Sequence, residues 1–403
     1  MAAARTKTLR ADVAIAGGGP VGLTLALALA RRGYSTVVAD AAAPPKPGKS
    51  GADSRAYFIA YGCWRIFKAL ELEDALLANA EPVTSVEAEG RIGGISFLAD
   101  ECSEPVLGYM VESANLLPVL HNAVKAETSV TLIAPAKIES VAFGDPDAVL
   151  QLASGEVRAS LVIGCDGAKS IVRKAAGLRW EGWDYDAKAI SATVKLSKPH
   201  NSSARQVFLP GGPLAVLPLK GDRANLIWTE RAAVADALMA LDDRGFEAEL
   251  AKSAGDFVPG AKLSGGRHVF PVSLRVADKF HGPRVALAGD SAHVIHPLGG
   301  QGLNLGLKDA AALVDVIAEA GRAGLDIGGP SSLEPYTRWR RTDVMSAAAA
   351  MEAFARVFSG PLPVRLVAGL AMQAAGSVRE ARKLFAREAG GDLGELPSLM
   401  RAG

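Results

Sequence analysis

Residues 12–40 read DVAIAGGGPVGLTLALALARRGYSTVVAD. Asp12 to Ala16 is a short run of strand formers, Gly17-Gly18-Gly19-Pro20-Val21-Gly22 is a turn, and Leu23 to Ala30 is an apolar helical stretch. Ser35 to Ala39 is a second strand that ends in Asp40. Strand, GxGxxG turn, helix, strand and terminal acid together predict a βαβ dinucleotide-binding unit. Gly17 permits the tight turn, Gly19 lets backbone approach a pyrophosphate, and Gly22 lets the helix pack on the sheet. Pro20 and Val21 open the helix, whose unpaired backbone N–H groups bind the phosphate charge. Asp40, 18 positions after Gly22, is placed to accept hydrogen bonds from ribose hydroxyls, and an acid there favours FAD or NAD over NADP. The helix is apolar on almost every face, which predicts burial between layers.

Two further stretches repeat the strand-to-glycine pattern. Residues 161–173, LVIGCDGAKSIVR, end a buried strand at Gly164-Cys165-Asp166-Gly167 and start a helix near Ser170. Asp166 there either hydrogen-bonds a ligand or forms an Asp-Gly turn that caps the helix. Residues 284–310, RVALAGDSAHVIHPLGGQGLNLGLKDA, run from a strand (Val285 to Ala288) into Gly289-Asp290, a Pro-Gly loop and a long helix from about Leu303.

The three motifs, in this order, resemble those of the class A FAD-dependent aromatic monooxygenases, which share the para-hydroxybenzoate hydroxylase fold. His296 to Asp309, HPLGGQGLNLGLKD, resembles the HPxxGQGxNLGxxD signature of ubiquinone-biosynthesis hydroxylases of the UbiH and UbiF type. The resemblance implies that Gly17, Gly19, Gly22 and Asp40 hold the ADP half of FAD. It further implies that Asp166 and Gly167 face FAD and the pyridine nucleotide, that Gly289 and Asp290 hold the ribityl chain, and that Arg55 lies near the FAD phosphates. Pro297, Gly302, Leu303 and Asn304 are the expected isoalloxazine contacts, with the helix start facing the flavin N1 and O2 edge. Two positions depart from the pattern: Ser113 stands where asparagine is usual, and Gly299 where alanine is frequent.

The activity so implied is an FAD-dependent monooxygenase that takes electrons from NAD(P)H, captures O2 as a flavin C4a-hydroperoxide and hydroxylates the ring of a polyprenylated phenol in ubiquinone biosynthesis. The cofactor carries the hard chemistry, and the protein orients the ring and excludes water. His293 and His296 flank the flavin loop; His296 is the one catalytic expectation, as base for the phenol, against a purely structural reading as a hydrogen-bonded histidine. Two alternatives remain beside this activity: a soluble hydroxylase of a small phenolic acid, or a non-catalytic flavin-binding partner protein. A small acid needs a cationic clamp, for which Arg205 and Arg223 are the visible residues, whereas a prenyl tail needs an apolar tunnel.

Composition narrows the remaining classes. With 44 basic and 43 acidic side chains, net +1, the chain gives no electrostatic basis for nucleic-acid binding. Cys63, Cys102 and Cys165 are far apart, with no CxxC pair and no histidine at ligand spacing, so neither a disulfide framework nor a metal site is expected. The N-terminus lacks a signal-peptide cleavage pattern, and no apolar stretch is long enough to span a bilayer. A cytoplasmic location, with a peripheral role at the inner membrane as the further reading, follows as the expectation.

The fold class expected is α/β, with an FAD-binding domain assembled from residues 1–75, 106–180 and 271–330. Residues 76–105 and 181–270 form an inserted, mostly antiparallel substrate sheet, and 331–403 a C-terminal helical region broken at Gly360-Pro361. Short β-rich runs at Ala189 to Leu196, Gln206 to Leu209 and Ala224 to Thr229 mark the substrate sheet, and Ala232 to Ser253 reads as helix. Trp180, Trp183 and Tyr185 are read as packing residues, with substrate contact as the alternative, and Pro44 to Ser54 as a mobile loop near the cofactor. The segment Val364 to Gly376, nearly devoid of charge and followed by Arg379, Arg382, Lys383 and Arg387, admits two readings. One is a patch that docks on an anionic membrane or on other ubiquinone-biosynthesis proteins; the other is a helix packed on the FAD domain with a solvated basic end.

Overall fold

The computed structural model describes residues 7–45, 55–89, 93–102, 104–359 and 362–401. Gly360 and Pro361, and residues 46–54 of the expected mobile loop, lie outside them. Five parallel strands form the heart of one sheet, in the order Val130–Ile133, Thr36–Ala39, Lys7–Ala16, Gly155–Gly164, Val285–Leu287. Antiparallel strands Ala148–Leu152 and Ile138–Phe143 extend it on one flank. Strands buried on both faces suit the near-continuous apolar runs of Val13–Ala16 and Leu161–Ile163, all fully buried. The first helix, Pro20–Ala30, is buried from Gly22 to Leu29 and packs against helices Ser113–Ala126 and Gln301–Arg322, as an all-round apolar helix must.

The second sheet holds eight strands, and every pairing is antiparallel except Ser203–Phe208 beside Ser85–Glu89. Its long strands, Trp180–Lys195 and Lys262–Ala277, extend well beyond the expected runs. Alternation assigns the faces: Ile190, Val194, Leu226 and Trp228 pack with Leu238, Phe246 and Leu250 of the covering helices. Arg223, on the opposite face, reaches Glu112 of the small sheet formed by Ala56–Ala60, Gly108–Glu112 and Glu81–Val83. The region read as one helix from Ala232 is two, Ala232–Ala240 and Asp243–Ala254. Asp242 parts them because its carboxylate accepts a hydrogen bond from Gly245 N at 2.7 Å and caps the second.

Helices Pro330–Ser359, Leu362–Ser377 and Arg379–Ala389 follow. The expectation of helix to the chain end is corrected here: the chain leaves the helix at Gly390-Gly391, where Gly391 takes a left-handed conformation and a Cβ on Gly390 would strike the Tyr61 ring. It then returns to bury Met400 in the first core. Among the described residues no helix is long and apolar enough to cross a membrane.

A fully buried carboxylate joins these parts. Asp309, in the helix Gln301–Arg322, accepts hydrogen bonds from Gly289 N at 3.0 Å and Arg340 Nε at 2.8 Å, and pairs with His293 Nε2 at 2.6 Å. Burial alone would push the Asp309 carboxyl up, but the His293 and Arg340 charges and hydrogen bonds outweigh it and hold it below its ordinary value. A depressed carboxyl stabilises the fold above its unfolded pKa and loses that stabilisation as pH falls through the lower folded value. Asp309→Asn should therefore cost roughly 3–5 kcal/mol at neutral pH, because Arg340 loses a buried partner. In urea melts, the gap between variant and wild type should narrow below about pH 4; a gap that persists there would contradict the assignment.

Candidate flavin site

The carboxyl ends of four neighbouring parallel strands deliver the motif residues to one edge of the first sheet. Lys7–Ala16 leads into the glycine turn, Thr36–Ala39 into Asp40, Gly155–Gly164 into Asp166-Gly167, and Val285–Leu287 into Gly289-Asp290. Ligands bind open parallel sheets along this edge, where helix N-termini converge. Backbone bonds hold the strand ends in register: Gly17 N to Ala39 O at 2.8 Å, Cys165 N to Ala16 O at 2.7 Å, Ala288 N to Gly164 O at 2.9 Å.

Glycines divide into those the protein packs against and those it leaves open. A Cβ on Gly17 would lie 2.3 Å from Cys165 O, and one on Gly22 2.0 Å from Gly17 O, so only glycine lets turn and helix meet the sheet. Gly306 likewise lets the helix Gln301–Arg322 touch Val21 and Gly289. At Gly19, Gly167 and Gly302 a Cβ would meet nothing within 4 Å, which leaves open space beside the backbone. Pro20 occupies the first position of its helix, and no side chain caps that helix or the one from Gln301. Neither has an acid in its first turn, so two positive helix ends converge without an internal counter-charge.

The acids differ in their commitments. Asp40 accepts from Gly18 N at 2.5 Å and Ala42 N at 2.6 Å, which shapes the turn. Asp166 accepts from Ile171 N at 2.7 Å, which caps the helix, while its other oxygen is buried without a partner. Asp290 is enclosed by protein on nearly all sides, yet its side chain keeps exposed surface, as a carboxylate lining a deep cleft does. Burial raises its carboxyl, against the charges of His293 and Arg55. Arg55, at the head of the strand Ala56–Ala60, thus acts electrostatically on Asp290, and its carbonyl accepts from Ser113 N at 2.8 Å.

The loop from Pro297 reaches the helix through left-handed Gly299 and Gly300, and the helix begins at Gln301 rather than Leu303. Leu303 packs partly on the first core. Asn304 is buried and spends its amide inside the protein, accepting from Ala60 N at 2.9 Å and donating to Phe58 O at 3.0 Å. It aligns the helix start with the strand Ala56–Ala60. His296 is 8% exposed, its Nδ1 is sealed without a partner, and burial pushes it down to about 4. So weak a base is poorly matched to taking a proton near neutral pH.

Sequence reasoning passed over Arg173 and Glu352. Arg173, buried, donates to Ser291 O and Ala168 O at 3.0 Å each and ties the two acidic turns together. Its guanidinium stacks on Trp180 at 3.8 Å. Tyr185 meets His296 edge-on at 5.6 Å and donates to Glu352. Two surface cavities of about 380 and 420 Å³, lined around Arg244 and around His200, contain none of the flavin-motif residues.

Residues 10–351 match the family model described as FAD binding domain. The chain is 37% identical over 397 residues to Ubiquinone hydroxylase UbiL of Rhodospirillum rubrum, covering 97% of this chain and 92% of the relative. It is 36% identical to 3-demethoxyubiquinol 3-hydroxylase of Escherichia coli, covering 90% and 94%. The p-nitrophenol 4-monooxygenase PnpA of Pseudomonas putida shares the fold, with a TM-score of 0.80, 20% identity and coverage of 95% and 98%.

The free carboxylate of Asp290 leads to opposite effects on stability and binding. Asp290→Asn should raise the melting temperature of the apoprotein, by removing an enclosed charge, and weaken FAD binding roughly tenfold or more by removing a charged acceptor. Calorimetry of apoprotein and FAD titration read the two effects; unchanged FAD affinity would refute the contact.

Proposed function

We propose, for a chain that belongs to the FAD-binding-domain family and within it to the ubiquinone-biosynthesis hydroxylases, that it hydroxylates the ring of a polyprenylated phenol with NAD(P)H and O2. The protein is an FAD-dependent hydroxylase of α/β fold. Bound FAD supplies the activation of oxygen; the chain's residues bind and orient. Backbone around Gly19 and the start at Pro20 and Val21 face the pyrophosphate, with Asp40 and Arg55 beside the adenosine half and the phosphates. Asp290 receives the ribityl hydroxyls. Pro297, Gly302 and the N–H groups of the following helix face the isoalloxazine and steady negative charge on it. Asp166 and Gly167 stand where FAD and the pyridine nucleotide meet.

What carries the choice of substrate is the state of the two clamp residues. Arg223 gives both terminal nitrogens to Glu112, at 3.0 and 2.9 Å. Arg205 stacks on Phe257 at 4.5 Å, donates to its carbonyl, and pairs with Glu87 at 3.4 Å. Both cations are committed to protein partners, which weighs against a small phenolic acid and for a neutral, prenylated ring.

A prenyl tail requires a route to a bilayer. On the helix Leu362–Ser377, Val367, Leu370, Ala371 and Ala374 recur at i, i+3, i+4 and i+7 and are all exposed, Val367 by 68% and Leu370 by 56%. Arg379, Lys383 and Arg387 form a row at i, i+4 and i+8 on the next helix. An apolar stripe beside a basic row suits the surface of an anionic membrane, and we place peripheral contact with the inner membrane there.

Two measurements test this reading. Holoenzyme with NAD(P)H, isotopically labelled O2 and a polyprenylphenol should yield product carrying one labelled oxygen; oxidation of NAD(P)H that produces only peroxide would favour a non-catalytic partner. The protein should co-sediment with vesicles containing phosphatidylserine and lose most of that binding in Val367→Ser/Leu370→Ser, whereas equal binding to neutral vesicles would remove the basic row from the account.

A further inference from the structure

A polar cluster borders the flavin loop on the side of the second sheet. The strand Trp180–Lys195 pairs regularly with Lys262–Ala277 up to Asp184 opposite Ser273, then resumes at Lys188 opposite Pro271. Residues 185–187 thus face a single residue, Val272, in a bulge, a device that re-aims side chains beside sites. It turns the Tyr185 ring edge-on to His296, the residue before Pro297, with centroids 5.6 Å apart. The Tyr185 hydroxyl donates to Glu352 Oε2, on the helix Pro330–Ser359, and Glu352 Oε1 is held by Arg356 Nε. Trp183 meets Tyr185 edge-on at 6.3 Å.

We propose that Tyr185, backed by Glu352, is the proton acceptor for the ring hydroxyl of the substrate, the role for which the sequence pointed to His296. This rests on the phenol reading above. A tyrosine hydroxyl has one hydrogen and two lone pairs. Its hydrogen goes to Glu352, so its lone pairs are left to accept from a phenol, and Tyr185 retains accessible surface where the sealed Nδ1 of His296 has none. As the ring takes up an electrophilic oxygen atom, its hydroxyl becomes strongly acidic. The ring O–H bond breaks as an O–H bond forms on Tyr185; the Tyr185 proton passes to Glu352 Oε2, and the electron pair left on the ring oxygen restores a neutral carbonyl tautomer that then rearomatises. Glu352, whose side chain is 13% exposed, returns the proton to solvent beside the exposed Arg356.

Binding of 2-decylphenol and its O-methyl ether to the FAD-loaded protein, followed by perturbation of the flavin spectrum, separates this from a structural role. Wild type should prefer the phenol by roughly tenfold, the order of one hydrogen bond. Tyr185→Phe should bind both equally. Glu352→Gln should keep the preference, since an amide still accepts from Tyr185, yet form hydroxylated product about a hundredfold more slowly, because it takes no proton. Variants are compared at equal FAD content. A Tyr185→Phe protein that keeps the preference, or a Glu352→Gln protein with the wild-type product rate, overturns the relay. Wild type that binds neither compound overturns the phenol reading, and the relay with it.

Discussion

The Asp309 carboxylate has no contact with water, and three elements depend on where it sits. It fixes the Gly289 turn at the end of one strand, the His293 segment that enters the second sheet, and Arg340 on the long C-terminal helix. A buried charge is tolerated only when its lone pairs are filled by charged or strongly polar donors, so these three partners cannot drift independently. The cofactor edge is therefore held in part by Arg340, from a region that contributes no residue to the flavin motifs.

That constraint explains how the cleft keeps charges unmatched. Two uncapped helix ends supply positive potential, and Asp290 is an acid that the same cleft leaves open. Each would be costly in a pliable protein, which would collapse to pair them. Close glycine contacts at Gly22 and Gly306 and the bonds of Asn304 hold the backbone apart, and what the fold leaves unpaired is what a dinucleotide with a pyrophosphate and ribityl hydroxyls can satisfy.

The parallel sheet and its motif turns were legible because their signals are local: glycine spacing, a strand's apolar run, an acid at its end. The mostly antiparallel character of the second sheet was legible for the same reason. Partnerships across the chain were not. Arg340 lies 31 residues from Asp309, Glu352 is 167 from Tyr185, and Glu112 is 111 from Arg223, and no periodicity links such pairs. His296 looked like a base because its ordinary pKa is near neutral, and only tertiary burial moves it. The split at Asp242 and the turn at Gly390-Gly391 did carry local signals, a cap three residues before Gly245 and a glycine pair, which the longer apolar periodicity overrode.

The first strand, Lys7–Ala16, pairs with Gly155–Gly164, and the cradle it begins is completed only through Val285–Leu287 and Arg340. A ribosome adds about 5–20 residues per second, so tens of seconds separate emergence of the glycine turn from that of its last support. For the first part of that interval, until Gly155–Gly164 emerges, one edge of the first strand is unpaired, and the apolar helix is only partly covered until Gln301–Arg322 follows. The inserted sheet, whatever substrate it serves, thereby sets how long synthesis separates the glycine turn from the parts that complete its edge of the sheet.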